Sequence, residues 1–160
     1  MALEIERKFL VNPDLWESYK MKLYENGKIH KNIIKQGYLN RDPKRTVRVR
    51  IEGQKGILTI KGMTEGITRP EFEYPIPYED AEKIFDLCDG KLDKIRYSFI
   101  YGVVWTVDEF LGDNEGLIIA EVELEDDKQE VKIPDFLNSE VSDDPKYFNS
   151  NLISLPYNKW

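Results

Sequence analysis

Five like-charge pairs, each split by one residue, run through the chain: Glu4 and Glu6, Arg48 and Arg50, Glu71 and Glu73, Lys94 and Arg96, Glu121 and Glu123. Residues two apart on a β-strand share a face. If these segments are strands, each pair points one way. Lys8 then joins Glu4 and Glu6, Lys61 lies on the face of Thr59, Arg69 joins Glu71 and Glu73, and Asp108 joins Thr106. Carboxylate oxygens suit hard divalent cations such as Mg²⁺ or Mn²⁺. Arginine suits phosphate through paired donors and lysine as a point charge. The two sets on one surface suit a metal-bound polyphosphate, whose hydrolysis depends mainly on positioning and charge stabilisation.

The elements that would carry these residues are mostly strands. Segments 3–11, 33–39, 46–52, 56–61, 69–76, 93–101, 103–110 and 117–124 read as strands, with 46–52 and 56–61 forming a hairpin. Asn12 and Pro13 open a helix that Gly27 stops, and 77–87 forms a second with acidic residues in its early turns. Residues 134–137 suggest a short helical turn, and 145–155 a terminal helix. Opposite the charges stand Val47, Val49, Ile51, Leu58, Ile60, Phe72, Tyr74, Ile95, Tyr97, Trp105, Val107, Val122 and Leu124. An antiparallel sheet can turn its polar face to water. A surface built for stability alone would intersperse its signs, because like charges on one face repel. A sheet of this many strands tends to close. The geometry leaves both orientations open. The like-charge blocks favour a charged interior with helices covering the apolar outside.

The 160 residues suit one domain, 1–160. Charged residues make up 33%, above the usual quarter, yet the formal net charge is −7. So acidic a chain is a poor general binder of nucleic acid, although a local basic cluster can still hold a small anion. The lone cysteine, Cys88, excludes an internal disulfide. No apolar run resembles a signal peptide or membrane span, so the expectation is a cytoplasmic protein without membrane partners, monomer or homodimer.

The opening Glu4-Ile5-Glu6-Arg7-Lys8 carries the Glu-x-Glu-x-Lys signature of the CYTH superfamily, the triphosphate tunnel metalloenzymes. Further segments resemble the family in its order: Gln36-Gly37-Tyr38-Leu39, Arg48-Val49-Arg50, Thr59-Ile60-Lys61, Arg69-Pro70-Glu71-Phe72-Glu73, Lys94-Ile95-Arg96-Tyr97, Val107-Asp108-Glu109-Phe110 and Ala120-Glu121-Val122-Glu123-Leu124. The tail, with Glu140-Val141-Ser142 and 147–152, resembles short bacterial members. The resemblance implies a mainly β fold, a closed eight-stranded antiparallel β-barrel tunnel with a charged interior and helices packed outside. It implies that Lys8, Arg48, Arg50, Lys61, Lys94 and Arg96 grip phosphates, with Arg69 at the tunnel or its rim. It implies that Glu4, Glu6, Glu121 and Glu123, with Glu71 or Glu73 and Asp108, hold one or two Mg²⁺ or Mn²⁺ ions. Lys8 or Lys94 would serve as a general acid if desolvation lowers its pKa.

Hydrolysis of inorganic tripolyphosphate is the activity most in keeping with this resemblance. Nucleoside or thiamine triphosphate hydrolysis and adenylate cyclase chemistry are alternatives within the family. A noncatalytic polyphosphate-binding module is the alternative outside enzymes, although a pure phosphate receptor gains little from so many carboxylates. His30 reads as a solvated loop residue and Cys88 as packing on a helix face. Trp16 and Tyr19 read as core, and Tyr147, Phe148 and Leu152 as packing a last helix across one tunnel end.

Overall fold

A computed structural model describes residues 2–160. The described residues form nine strands, most of them alternating apolar and charged residues: β1 (Leu3–Val11), β2 (His30–Asn40), β3 (Arg45–Glu52), β4 (Lys55–Gly62), β5 (Thr68–Ile76), β6 (Gly90–Tyr101), β7 (Val103–Phe110), β8 (Ile118–Glu123) and β9 (Leu137–Glu140). They pair antiparallel in the order β5-β4-β3-β2-β6-β7-β8-β1-β9. Leu3, Glu4 and Ile5 of β1 pair back onto Pro70, Arg69 and Thr68 of β5 and close an eight-stranded barrel. Three helices accompany it: α1 (Pro13–Glu25), α2 (Tyr78–Leu87) and α3 (Asn149–Ser154).

The barrel is apolar outside and charged inside. On the outside of β1, β6, β7 and β8 lie Phe9, Val11, Tyr97, Phe99, Trp105, Val107 and Val122, all buried because α1 and Phe136 cover them. Trp16 of α1 is fully buried there, and its indole N–H donates to Glu109 Oε2 at 3.0 Å. Asn12 caps α1, its Oδ1 accepting from the Leu15 N–H at 3.1 Å, and Pro13 follows at the first helical position. The second helix, α2, lies against β2, β3 and β4. It comes so close that a Cβ on Gly37 would sit 2.8 Å from Cys88 Sγ, and one on Gly56 would sit 2.5 Å from Ala81 Cβ. Only glycine permits that approach. No helix among the described residues is long and apolar enough to cross a membrane.

The sequence reading departs from the structure mainly in the tail. The segment 134–137 is a turn that feeds an unforeseen strand, β9. One edge of β1 pairs with β8; the other pairs with β5 only near its start, and β9 takes up the free remainder at Phe9 and Val11. A single edge strand of sequence Leu-Asn-Ser-Glu shows no alternation, which is why periodicity misses it. The expected terminal helix breaks into a 3-10 turn at Pro145–Tyr147 and α3, because Phe148 between them is extended (φ −68°, ψ 133°). His30 begins β2 instead of sitting in a loop, though it is exposed as expected. Cys88 follows the last turn of α2 and is buried.

Replacing Trp16 with alanine is expected to cost about 3–5 kcal/mol, read as a lower urea midpoint with an unchanged slope. A loss below about 1 kcal/mol would mean that α1 does not hold the outer core together.

Candidate active site

The barrel encloses a cavity of about 560 Å³. Glu4, Glu6 and Lys8 of β1 line it, with Arg48 and Arg50 of β3, Lys61 of β4, Arg69, Glu71 and Glu73 of β5, Lys94 and Arg96 of β6, and Glu121 and Glu123 of β8. The register sets these groups against one another across the strands. Glu4 lies opposite Arg69, Lys8 opposite Glu121, and Lys61 opposite Glu71. Glu6, however, lies opposite Glu123. Two carboxylates directly across a strand pair repel.

Most of the buried charge is paired. Lys61 Nζ lies 2.8 Å from Glu4 Oε2 and 3.2 Å from Glu71 Oε2. Lys8 Nζ lies 3.1 Å from both Glu6 and Glu121. Burial disfavours the Lys8 ammonium, but Glu121, Glu6 and Glu4 outweigh it and hold the group charged far above the ordinary lysine range. Arg50 is pushed down to about 10 by burial, with Arg48 and Arg96 adding to the effect, and stays cationic at neutral pH. Lys94 is pushed down to about 7 by burial; Asp108 opposes this, while Arg96 and Arg50 reinforce it.

Two of these groups are engaged only loosely: Arg48, whose Nη2 lies 3.9 Å from Glu73 Oε1, and Glu123, which is exposed to the cavity. Arg48 is 7% exposed, and its Nε has no hydrogen-bond acceptor. A buried guanidinium with an orphaned donor is a ready site for a phosphoryl oxygen. Glu123 makes no side-chain hydrogen bond or salt bridge among the described residues. Its pKa is raised by burial and by the charges of Glu4, Glu71, Glu6 and Glu73. A carboxylate crowded by four others is what a hard cation relieves. No three acidic groups among the described residues converge as a ready-made metal cluster, because lysines and arginines hold most of them. The donor chemistry fits a divalent cation, provided those pairings are exchanged when it arrives.

The CYTH domain family matches residues 2–148. The chain belongs to the CYTH family. It is 45% identical to a protein of Acetivibrio thermocellus named inorganic triphosphatase, over 98% of this chain and 97% of that protein. A crystal structure of an inorganic triphosphatase matches with a TM-score of 0.63 at 29% identity, covering 94% of this chain and 97% of that one. A Hippeastrum protein described as having a dominant triphosphatase activity matches with a TM-score of 0.60, over 79% of this chain and 80% of that one. At 13% identity, that last likeness speaks for the fold alone.

Within this CYTH barrel, Asp108, one of the expected ligands, is not among the residues that line the cavity. Asp108 lies behind the cavity wall, fully buried, with Arg96 Nε on one oxygen at 2.8 Å. Arg96 Nη2 at 2.9 Å and Lys94 Nζ at 2.8 Å occupy the other. Burial works against its charge, but Arg96 and Lys94 prevail and hold its pKa below the usual carboxylate range. Engaged in this way, Asp108 holds Arg96 and Lys94 through both of its oxygens. Arg69 does reach the cavity, and its Nε and Nη2 are tied to the Gly62 carbonyl at 3.1 and 2.9 Å.

The sequence reading missed several uncharged contributors: Tyr38, Thr46, Thr106, Ser142, Phe148, Asn149 and Ser150 also line the cavity. Thr46 and Thr106 share faces with residues already singled out, so strand alternation could have found them. The last four come from the tail, whose path into the barrel no periodicity reveals.

Asp108→Ala is expected to destabilise the fold by about 3–5 kcal/mol, because Arg96 and Lys94 would lose their buried counter-charge. Urea unfolding without added metal reads this. Unchanged stability would mean that Arg96 and Lys94 do not depend on this counter-charge.

Proposed function

We propose that the chain hydrolyses inorganic tripolyphosphate to pyrophosphate and phosphate inside the barrel, with Mg²⁺ or Mn²⁺ as cofactor. One observation carries this reading: among the described residues, seven basic groups and seven carboxylates face the same cavity. Basic groups alone would serve a receptor for phosphate. The carboxylates add a place for the cation that accompanies a polyphosphate, which favours an enzyme over a binding module. The names of the two CYTH relatives above support the same substrate class.

In this reading Lys8, Arg48, Arg50, Lys61, Arg69 and Arg96 hold the phosphate chain and balance its charge. Glu4, Glu6, Glu71, Glu73, Glu121 and Glu123 would hold the cation, which supplies charge neutralisation at phosphoryl oxygens and a more acidic water. Lys8, fixed in its charged form by three glutamates, serves as a permanent cation and not as a proton donor. Lys94, brought to about 7, is the group equipped to exchange a proton at neutral pH. Above that pH its amine is neutral and can take the proton of the attacking water. A pyrophosphate leaving group needs no proton in return.

The direct test is phosphate release from tripolyphosphate with and without Mg²⁺ or Mn²⁺, run beside ATP and thiamine triphosphate. Metal-dependent release that is fastest from tripolyphosphate is expected. Faster turnover of an organic triphosphate, or a cyclic product from ATP, would reassign the substrate. Lys8→Ala and Arg50→Ala are expected to lose activity while unfolding cooperatively. Loss of the fold instead would make these charges structural.

The pH profile tests Lys94. As a base, its unprotonated form is the active one, so kcat/KM rises as pH increases through about 7. Lys94→Arg, cationic throughout, should abolish that limb and lower kcat by about 100-fold or more. A limb that falls through the same range would make Lys94 an acid.

A further inference from the structure

The tail of the chain brings an amide into the charged cavity. Asn149, the first residue of α3, lines the cavity beside Lys94. Its Oδ1 accepts from Lys94 Nζ at 2.7 Å and from Gln36 Nε2 at 3.2 Å. Gln36 is fully buried, and its Oε1 accepts from Arg50 Nε and Nη2 at 3.1 and 3.0 Å. The arginine guanidinium carries donors and no acceptor. That fixes both amides. The Gln36 oxygen must face Arg50, so its NH₂ faces Asn149. The Asn149 atom that takes this donor must be its oxygen, and Lys94 Nζ donates to the same oxygen. Both its lone pairs are then used, and the Asn149 NH₂ has no hydrogen-bond acceptor among the described residues.

We infer that Asn149 is a substrate-binding residue of this cavity: its oxygen ties Lys94 to the Gln36–Arg50 pair, and its NH₂ donates to a phosphoryl oxygen. The inference rests on the triphosphate reading of the cavity and adds an uncharged contact to it. An amide suits this position for a physical reason. Its oxygen joins Lys94 to the neutral Gln36 amide, which in turn holds Arg50, without adding negative charge, and it leaves donors for an anion. Aspartate has the same shape but would offer only acceptors, and its charge would repel phosphate.

The position of Asn149 does not depend on its own side chain. Leu152 of α3 is fully buried with Leu92, Phe110, Ile119 and Tyr147. Upstream, the Lys8 N–H donates to Ser142 Oγ at 2.9 Å, and the Val141 N–H donates to the Lys8 carbonyl at 2.8 Å. The tail is therefore fastened to the barrel on both sides of Asn149, and substitutions there test the contact separately from the fold.

The experiment compares the wild-type chain with Asn149→Leu and Asn149→Asp. Each is measured by calorimetric binding of tripolyphosphate without metal, by phosphate release with metal, and by urea midpoint. Asn149→Leu is expected to weaken tripolyphosphate binding by about 10- to 100-fold, the effect of one hydrogen bond to a charged group, and to raise KM in parallel. Asn149→Asp is expected to lose at least as much, although it keeps an oxygen for Lys94. Urea midpoints should stay close to that of the wild type. If the wild type binds tripolyphosphate and Asn149→Asp matches it in affinity and KM, the inference falls and the triphosphate reading stands. If Asn149→Leu lowers only the midpoint and leaves KM unchanged, Asn149 is structural and the inference again falls. If the wild type neither binds nor hydrolyses tripolyphosphate, the reading of the cavity falls and takes this inference with it.

Discussion

An ion moved from water into a protein interior loses several kcal/mol of solvation, recovered only if an opposite charge is buried against it in good geometry. Fifteen charged side chains among the described residues, counting Asp108, share the interior of this barrel or its wall. Their mutual neutralisation is the constraint on which the other features depend. It explains why Lys61 sits between Glu4 and Glu71, and why Asp108 lies buried between Lys94 and Arg96. It also dictates the outside. With the interior given to charge, the hydrophobic core must lie beyond the strands, where α1, α2 and the tail cover the apolar faces.

The same constraint supplies the chemistry. The interior is an assembly of ion pairs held in low dielectric, where each charge acts more strongly than in water. A polyphosphate can replace carboxylates as the partner of the cationic groups, and a divalent cation can replace lysines as the partner of the carboxylates. Charge stays balanced through that exchange, and little of the wall has to reorganise. Donors already in place before charge develops are the economical way to stabilise a phosphoryl-transfer transition state. Two charged groups at the cavity that the described residues engage only loosely, Arg48 through its Nε and Glu123, are of opposite sign, as such an exchange requires.

Much of this was legible in the sequence because a strand has a period of two. Glu4 and Glu6, Arg48 and Arg50, and Glu121 and Glu123 are pairs whose common face follows from spacing alone, and all of them line the cavity. The apolar partners Val107 and Val122 announce the opposite face with equal clarity, and both are buried. What spacing does not carry is pairing across strands. Asp108 has the face and charge of a metal ligand, yet the register sets it opposite Arg96, which claims it. Nor does spacing carry the path of the tail. Asn149 and Ser150 enter the cavity because Phe148 is extended between two short helical turns, a local choice set by tertiary packing. β9 is invisible for a related reason: it exists because half of one edge of β1 is free.

If the charged interior is a receptor for polyphosphate, binding must stabilise the folded chain by mass action. The most direct measurement is the urea midpoint against tripolyphosphate concentration, without metal, with sulfate at equal ionic strength as the control. Tripolyphosphate should add about 2.7 kcal/mol at 100 times its dissociation constant, with sulfate at equal ionic strength giving far less. A midpoint that moves no further with tripolyphosphate than with sulfate would mean that the buried charges neutralise one another for the fold alone.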